Sequence, residues 1–473
     1  MHRSILCIDI ETYSEVDLVS CGVYAYAEHP SFEIMLFGYS FDGGPVEVVD
    51  FAGGEELPTD IQIALTDPDV LKTAYNANFE RVCLTRYLAT LMRPEQWRDT
   101  KILAAELGLP GSLAEAGAAL GLSEDKQKLK EGRELIRYFA KPCKPTKANG
   151  RRIRNLPEHD PEKWARYIEY NRQDVVAEMA IAEKCLPYLG KWWESEQKLW
   201  VIDQEINDRG VRLDRQLATN AVRLDDQMKY RLVAEAKELT GMDNPKSPAQ
   251  IKAWIKQETG LEVESIAKDK VRPLLERVGE APKVERFLEI RSQLAKTSTA
   301  KYSKMLECVC EDSRIRGLTQ FYGANRTGSA QIVRPGIRMR KTGPLLRIEL
   351  PSGRELSYVS PRLEYDGTRE NITYMGTIQG KGSWGRIETY GPKIVENIVQ
   401  AVARDCLAES MQQLTRRYNV RIVFHVHDEV ICEVGESDIS LEQIAAVMGE
   451  PISWAVGLPL NADAYECDFY RKD

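Results

Sequence analysis

Two carboxylates stand one residue apart at the end of the first apolar run of the chain. The run from Ile5 to Ile8 indicates a short strand, and Asp9 and Glu11 follow it in the stretch ILCIDIETYSEVDL. An unpaired carboxylate at the end of a buried strand loses several kcal/mol of solvation, so a buried pair of this kind needs a partner. Taken alone, the pair is more often two solvated acids at a strand end.

Two later stretches add further acids to this pair. The run YNANFER carries Asn76 and Glu80 where a strand passes into a helix, and YNRQDVV carries Tyr170 and Asp174. The four-residue spacing of Tyr170 and Asp174 places both side chains on one face of a helix. The sequence therefore predicts that four carboxylates converge on one point: Asp9, Glu11, Glu80 and Asp174.

Four clustered carboxylates cannot all stay ionised without cations. Ligation by oxygen alone suits Mg²⁺ or Mn²⁺ rather than zinc. Two such ions about 4 Å apart serve in-line attack on a phosphodiester, where one generates the hydroxide and the other stabilises the leaving 3′ oxygen. Tyr170 lies one turn before Asp174, where it can hydrogen-bond the attacking water. With an unperturbed pKa of about 10, it is too weakly acidic to be the base.

The elements that must position these residues follow from periodicity and turn signals. Three β-rich runs, ILCIDIE, EIMLFGYSFD and VEVVDF, come first, with Asp42-Gly43-Gly44 as a tight hairpin between the last two. A strand from Leu71 to Tyr75 leads into a helix predicted from Phe79 to Met92. Further helices are predicted from Leu113 to Leu120 and from Pro161 to Cys185, where Pro161 suits a first helical turn.

The second half of the chain is predicted to be helical from Trp192 to about Met305. A helix opens at Ser247-Pro248 and closes at Gly260, and one long amphipathic helix is predicted from Val284 to Leu306. The last third changes to strand, turn and strand in LLRIELPSGRELSY, then a long helix over 391–414. Finally, RIVFHVHDEVICEV predicts two strands that meet at a polar tip: His427, Asp428 and Glu429.

Length and composition set the broad class. A chain of 473 residues predicts two or three domains, and 43% apolar with 29% charged residues is typical of a soluble globular protein. Ten scattered cysteines without a CxxC pair indicate reduced thiols in a cytoplasm-like compartment and argue against structural zinc. No apolar run approaches the roughly 20 residues of a membrane span.

Charge does not decide whether the chain binds nucleic acid. A net charge of −8 does not indicate such binding, but it does not exclude it, because charge can be segregated by face. The stretch KPCKPTKANGRRIRN, residues 141–155, is basic and rich in turn formers. It is predicted to be an exposed loop, either a solvated excursion or a segment that contacts phosphates.

The three acidic motifs together resemble the 3′-5′ exonuclease domain of proofreading DNA polymerases. D-x-E, N-x-x-F-E and Y-x-x-x-D occur in that order on a βββαβα pattern, over roughly residues 1 to 185. The resemblance implies a ribonuclease-H-like fold of the subclass with Tyr in the third motif. It also implies two metal ions, Mg²⁺ or Mn²⁺, and Asn76 as a substrate-binding residue. Glu80 departs from the pattern, which more often has Asp, and this puts its direct ligation of metal in question.

The middle of the chain resembles the polymerase half of family A DNA polymerases, in the form seen in phages and prophages. INDRGVRLD is similar to the start of the polymerase region, and LAKTSTAKY and QFYGANRTG are similar to the thumb and the segment after it. The resemblance implies DNA contacts by three cations of this region: Lys296, Lys301 and Arg326.

The C-terminal third resembles the palm of the same family. In VENIVQAVARD, Gln400 occupies the position of a glutamine that contacts template or primer. VHDEV is similar to the third palm motif. There the resemblance implies that Asp428 holds metal and that His427 and Glu429 lie near the primer end.

The resemblance breaks at Ser329. In the family, an Arg follows the Thr-Gly, and a large block then supplies the first palm aspartate and a cationic fingers helix. Here Thr327-Gly328-Ser329 runs through AQIVRPGIRMRKTG directly into LLRIELPSG. Nucleotidyl transfer needs both palm carboxylates for its ions and the cationic helix for the triphosphate, so polymerisation is predicted to be lost.

The sequence thus predicts an α/β ribonuclease-H-like exonuclease domain over 1–188, followed by an α+β module. The module comprises a helical thumb-like region over 189–328 and a reduced polymerase palm over 329–473. The predicted function is metal-dependent removal of nucleotides from DNA 3′ ends, single-stranded or on a primer-template, in the cytoplasm of a bacterial or phage-infected cell. Two alternatives stay open: a DNA polymerase with proofreading, and a non-catalytic protein that binds DNA or docks a partner.

Overall fold

The computed structural model describes residues 4–123, 132–190, 192–245, 247–266, 274, 281–295, 298–322, 338–365, 370–378, 383–435 and 439–470. The strands are β1 Ile5–Tyr13, β2 Glu33–Phe41, β3 Glu47–Asp50, β4 Leu71–Ala74, β5 Trp97–Asp99, β6 Val211–Arg212, β7 Arg314–Ile315, β8 Arg338–Thr342, β9 Leu345–Glu349, β10 Glu355–Tyr365, β11 Glu370–Thr377, β12 Trp384–Thr389, β13 Arg421–Val426 and β14 Glu429–Glu433. The helices are α1 Leu18–Glu28, α2 Thr59–Thr66, α3 Asn78–Tyr87, α4 Thr100–Glu106, α5 Leu113–Ala119, α6 Gly132–Phe139, α7 Pro161–Cys185, α8 Trp193–Arg209, α9 Arg215–Thr240, α10 Pro248–Thr259, α11 Pro282–Leu294, α12 Ala300–Cys308, α13 Gly391–Tyr418 and α14 Leu441–Met448. Among these, no helix has the length and apolar character that a membrane span requires.

The chain divides into two compact units. The first comprises Met1–Val211 and Arg316–Asp473, and the second comprises Arg212–Ile315. The second unit is mainly helical, and its core is built by apolar residues of α9, α10 and α11, including Leu232, Trp254 and Phe287. The three-domain division at residues 188 and 328 stays a prediction.

The N-terminal part of the first unit is organised around a five-stranded mixed sheet of order β3-β2-β1-β4-β5. Strand β1 pairs antiparallel with β2 and parallel with β4, and it lies at the centre. Helix α7 packs across β1, β2 and β3. This sheet order with flanking helices is the ribonuclease-H-like α/β fold that the sequence predicted.

Local sequence explains how β1 and α7 form. Leu6, Ile8 and Ile10 alternate along β1 and are buried, so one face of the strand packs into the apolar core. Helix α7 begins where the Asp160 side chain accepts a hydrogen bond from the Lys163 backbone N–H at 3.0 Å, with Pro at the first helical position. The other face of β1, which carries Asp9 and Glu11, is the one that α7 covers.

The C-terminal part of the first unit is an antiparallel meander of order β12-β11-β10-β9-β8, with α13 packed against it. Leu350, Leu356, Ile394 and Ile398 belong to the core between sheet and helix. The predicted strand, turn and strand after residue 345 is confirmed, as is the β13–β14 hairpin. Together with the helical second unit, this agrees with the predicted α+β module.

Two helix predictions are wrong in their extent. The helix predicted from Phe79 to Met92 ends at Tyr87, because Ala89 adopts a left-handed φ of 48° that stops helical propagation. The single helix predicted from Val284 to Leu306 is two helices, α11 and α12, and the first ends with Ala295 as its C-cap. The sequence KTSTA that follows Ala295 is rich in Ser and Thr, which favour helix ends over helix interiors.

A buried ion pair joins α3 to α8. The two Nη atoms of Arg81 donate to the Asp208 carboxylate at 2.9 and 2.7 Å, and the Tyr24 hydroxyl donates to the same carboxylate at 2.7 Å. The Arg81 side chain is 1% exposed and that of Asp208 is 28% exposed. Because Arg81 directly follows Glu80, this pair fixes the first turn of the helix that carries a predicted metal ligand.

We expect Arg81→Met to lower the free energy of unfolding of the protein by about 3 kcal/mol. This is the lower end of the usual cost of removing one partner of a buried ion pair, which leaves the other charge uncompensated. The lower end applies because Asp208 keeps some contact with solvent. Urea unfolding measures the change. Arg417→Met is the matched control, since Arg417 pairs with Glu450 on the surface and its loss should cost under about 1 kcal/mol. Equal effects of the two substitutions would contradict the assignment.

Candidate metal centre

Three of the four predicted carboxylates meet in the structure. One carboxylate oxygen from each of Asp9, Glu11 and Asp174 lies within 4.8 Å of the other two. Asp9 and Glu11 project from the same face of β1, because alternate residues of a strand point to one side. Asp174 comes from α7, which crosses that face. Within the described ranges, this is the one group of three or more such residues close enough to hold a metal ion.

Glu80 lies outside this group of three but is electrostatically coupled to it. It is in the first turn of α3 and 4% exposed, and its Oε2 has no hydrogen-bond partner within the described part of the chain. Burial raises the pKa of Glu80 well above its ordinary value, and the negative charge of Asp9 raises it further. A buried, unpartnered oxygen beside a cluster of carboxylates fits a cation site of oxygen ligands. Ligation of metal by Glu80 stays a prediction.

Tyr170 faces the same centre from α7. Its hydroxyl hydrogen-bonds the Asp174 side chain. Burial raises the pKa of Tyr170 far above its ordinary value, and the charges of Glu11 and Asp174 add to this effect. A hydroxyl that stays protonated can orient a water molecule, but it cannot deprotonate one.

Asn76 is exposed and makes contacts that shape the turn between β4 and α3. Its φ is 84°, a left-handed conformation that Asn tolerates better than most residues. Its backbone N–H donates to Asp99 Oδ1 at 3.0 Å, and its side-chain oxygen accepts from Lys101 Nζ at 3.2 Å. Its role in substrate binding stays a prediction.

Two further side chains of α7 hold the carboxylates of β1, and the sequence analysis missed both. The Tyr167 hydroxyl donates to Glu11 Oε2 at 2.6 Å. The Asn171 amide donates to Asp9 Oδ2 at 2.6 Å and to the Asp9 carbonyl at 3.1 Å. Both side chains are fully buried. The signal in the sequence is their spacing. Tyr167 and Asn171 are four residues apart, and Asn171 is three residues before Asp174, so all three side chains lie on one helical face.

Two glycines leave the space that these side chains occupy. A Cβ at Gly38, which pairs with Asp9 across β1 and β2, would lie 2.7 Å from Asn171 Oδ1. A Cβ at Gly132, in α6, would lie 2.1 Å from Cε2 of the Tyr170 ring. Both separations are too short for unbonded atoms, so any side chain at either position must displace the residue that faces the centre.

A buried carboxyl, Glu178, lies one turn after Asp174 and is 1% exposed. Burial raises the pKa of Glu178 to about 8. At neutral pH this carboxyl is therefore mostly protonated, and it adds little negative charge to the centre.

The predicted palm residues are exposed. His427, Asp428 and Glu429 form the tip of the β13–β14 hairpin, where His427 has a φ of 51° and Glu429 Oε2 accepts from the Tyr470 hydroxyl at 3.1 Å. Gln400 lies on α13 and donates to Glu396 at 3.3 Å. Within the part of the chain that the structure describes, Asp428 belongs to no group of three potential metal ligands.

The structure describes one of the three predicted DNA-binding cations. Lys301 is exposed on α12, with its Nζ 5.3 Å from the centroid of the Tyr302 ring. Lys296 and Arg326 lie outside the described residues. Contacts of all three with DNA stay a prediction.

We expect Tyr167→Phe to weaken the binding of Mn²⁺ about 10-fold or more. The substitution removes the hydrogen bond that orients Glu11 and keeps the aromatic packing, and partners of ligating carboxylates typically contribute 10- to 100-fold in metal affinity. Titration with Mn²⁺, followed by the electron paramagnetic resonance of the free ion, measures the dissociation constant. Tyr138→Phe is the control, because it removes a hydroxyl from the same aromatic cluster that does not bond these carboxylates. An unchanged constant in Tyr167→Phe would contradict the assignment.

Comparison with solved structures gives only weak likenesses. The polymerase domain of Pol1 from M. smegmatis, in complex with DNA primer-template and dNTP, matches with a TM-score of 0.37 and 16% identity, over 66% of this chain and 48% of that one. Escherichia coli RNase D, an exoribonuclease, matches with a TM-score of 0.19 and 16% identity, over 63% of this chain and 69% of that one. At these scores neither likeness carries an argument.

Comparison by sequence is decisive. No protein-family model matches the chain. The DNA polymerase of Bacillus phage SP02 is 37% identical over 653 aligned positions, which cover 99% of this chain and 100% of that protein. Because this chain has 473 residues, at least 180 of the aligned positions have no counterpart here. Identity at this level over the full length of both proteins shows that the chain belongs to the phage-type DNA polymerases of family A.

Proposed function

We propose that this chain is a metal-dependent 3′-5′ exonuclease that removes nucleotides from DNA 3′ ends, on a family A scaffold that no longer polymerises. The observation that carries the proposal is the approach of Asp9, Glu11 and Asp174 to within 4.8 Å. At that separation each pair of ionised carboxylates repels by roughly 3 kcal/mol in a protein environment. The cluster is therefore stable as charged groups only with cations, and family membership supplies DNA as the substrate.

The residues of the centre have separate roles in this proposal. Asp9, Glu11 and Asp174 would hold Mg²⁺ or Mn²⁺, and Glu80 would complete the oxygen donors. Two bound ions would lower the pKa of a water molecule and stabilise the leaving 3′ oxygen. Tyr170, which keeps its proton, would orient that water.

Hydrolysis at this centre calls for an unpaired 3′ end. The carboxylates lie at the boundary between a sheet and the helix that covers it, so the last phosphodiester must separate from a duplex before it reaches them. Single-stranded DNA and frayed primer ends are thus the expected substrates. The resemblance of the three acidic motifs to those of 3′-5′ exonuclease domains supports cleavage from the 3′ end.

Two observations support the loss of polymerisation. At least 180 aligned positions of the phage relative have no counterpart here, and the resemblance to the family breaks at Ser329. Asp428, the palm carboxylate that remains, is exposed and belongs to no group of potential ligands among the described residues. One exposed carboxylate does not provide enough ligands to hold two metal ions and a nucleoside triphosphate.

A second candidate is a DNA polymerase with proofreading. It is favoured by the match to a DNA polymerase over that protein's full length. Nucleotide incorporation separates it from the exonuclease proposal.

We expect a gel assay with a 5′-labelled primer-template and Mg²⁺ to show primer shortening that added deoxynucleoside triphosphates do not reverse. Asp9→Ala should abolish the shortening, because it removes one of the three clustered carboxylates. Asp60→Ala is the control, since Asp60 is an exposed acid of α2.

Extension of the primer, above all in Asp9→Ala, would establish the polymerase instead. No change in the primer with either metal, together with retained DNA binding, would favour a non-catalytic binding protein.

We also expect Gly132→Ala to slow cleavage about 10-fold or more, because the added Cβ displaces the Tyr170 ring that orients the water. The single-turnover rate at saturating DNA measures this effect. Gly391→Ala is the control, since a Cβ at Gly391 meets no atom within 4 Å. A rate equal to that of the control would argue against a role for the Tyr170 hydroxyl.

A further inference from the structure

Residues 141–155, which we call the basic loop, join α6 to α7 through a concentration of positive charge. The loop contains three lysines and three arginines and no acidic residue, in a chain whose net charge is −8. Charge of one sign in a short segment is unfavourable unless a partner of opposite sign approaches it. The position and shape of the basic loop indicate what that partner is.

The basic loop has a fixed conformation. The Cys143 N–H donates to the Ile153 carbonyl at 2.7 Å, and the Arg151 N–H donates to the Thr146 carbonyl at 2.8 Å. The Asn149 side chain closes the tip, because its oxygen accepts from the Thr146 N–H at 2.8 Å and its amide donates to the Lys144 carbonyl at 2.9 Å. These bonds hold the cations of the loop in defined places.

The base of the loop is anchored beside the metal centre. The Arg154 guanidinium stacks 3.8 Å from the centroid of the Tyr13 ring, and it also pairs with Glu33. Tyr13 lies two residues beyond Glu11 on β1, which is about 7 Å along a strand. The ring of Tyr13 also belongs to the buried aromatic cluster that contains Tyr167 and Tyr170. A second anchor, Lys141 to Asp17 at 2.8 Å, holds the start of the loop close to the end of the same strand.

The anchors leave three cations of the loop facing solvent. Lys144, Lys147 and Arg151 are exposed, and no ion pair within the described ranges involves them. Arg152 differs, because its Nε donates to Asn155 Oδ1 at 2.7 Å and supports the loop itself. Thus a hydrogen-bonded loop, whose base is anchored next to the end of the strand that carries Asp9 and Glu11, displays three uncommitted cations.

We propose that Lys144, Lys147 and Arg151 bind the phosphates of the DNA strand whose 3′ end occupies the metal centre. The proposal rests on the exonuclease function proposed above. Contacts with phosphates are independent of base sequence, which is what an enzyme that removes successive nucleotides requires. They hold the strand by charge, so the affinity falls as the salt concentration rises.

The test compares a loop variant with a control of equal charge on two substrates. The loop variant combines Lys144→Ala, Lys147→Ala and Arg151→Ala. The control combines Arg86→Ala, Arg93→Ala and Lys198→Ala, which are exposed cations of the same compact unit. The substrates are a single-stranded oligodeoxynucleotide of 20 residues and thymidine 5′-(p-nitrophenyl phosphate), which has no upstream phosphates.

We expect the loop variant to raise KM for the oligonucleotide about 10-fold at moderate salt, with kcat and the hydrolysis of the small ester unchanged. The slope of log(kcat/KM) against log[KCl] should become shallower by up to about 2, since each lost phosphate contact on a single strand contributes about 0.7. The control should behave as the parent does.

A loop variant that matches the control in KM and salt slope would overturn the assignment of the loop alone. Equal losses on both substrates would also overturn it, because they would mean that the centre itself had been distorted. If the parent hydrolyses neither substrate with Mg²⁺ or Mn²⁺, the exonuclease function fails instead, so the two failures are distinguishable.

Discussion

The concentration of buried carboxylates against α7 is the constraint on which the rest of the N-terminal fold depends. An ionised carboxylate removed from water must be hydrogen-bonded, paired with a cation or protonated. The protein uses all three means. Tyr167 and Asn171 donate to Glu11 and Asp9, and burial raises the pKa of Glu80 and of Glu178, which favours their neutral forms. The gap between Asp9, Glu11 and Asp174 fits a cation.

This constraint explains the length of α7 and the glycines around it. The residues that face the centre span three turns of α7, so this helix has to run unbroken past the sheet. They are Tyr167, Tyr170, Asn171, Asp174 and Glu178. Close packing of that helix against β2 and α6 leaves no room for side chains at two positions opposite it. Glycine is therefore required at positions 38 and 132 by the side chains of the site, because a Cβ at Gly38 or Gly132 would displace Asn171 or Tyr170.

The sequence predicts those parts of the site whose spacing is local. The period of a strand places Asp9 and Glu11 on one face, and the period of a helix does the same for Tyr170 and Asp174. The sequence alone therefore predicts that the members of each pair lie together. Tyr167 and Asn171 bond residues about 160 positions away, and the placement of Glu80 depends on Arg81 and Asp208, which are 127 residues apart. Such contacts depend on how elements pack, which local patterns do not encode. The fold class, the strands β1 to β4 and the long helices α7 and α13 are predictable because periodicity is strong there, whereas the Ser- and Thr-rich break after Ala295 is hidden within an apolar pattern.

The N-terminal part of the first unit buries apolar surface against the meander of its C-terminal part. One core contains residues of both parts. It includes Ala104 of α4, Leu107 at the C-terminal end of α4 and Ile181 of α7, together with Leu345 and Val359 of the meander. Ion pairs also tie α13 to its neighbours, since both Nη atoms of Arg404 donate to Glu196 of α8 at 2.7 and 2.8 Å and Arg354 Nε donates to the buried Asp405 at 2.8 Å. Removal of the meander and α13 would expose the apolar surface and leave Glu196 of α8 without Arg404, at a cost in stability independent of any activity of the palm. Under the function proposed above, selection for stability would retain the meander and α13 without any nucleotide incorporation, and the exposed His427-Asp428-Glu429 tip, which supports no such core, would be the part most free to change.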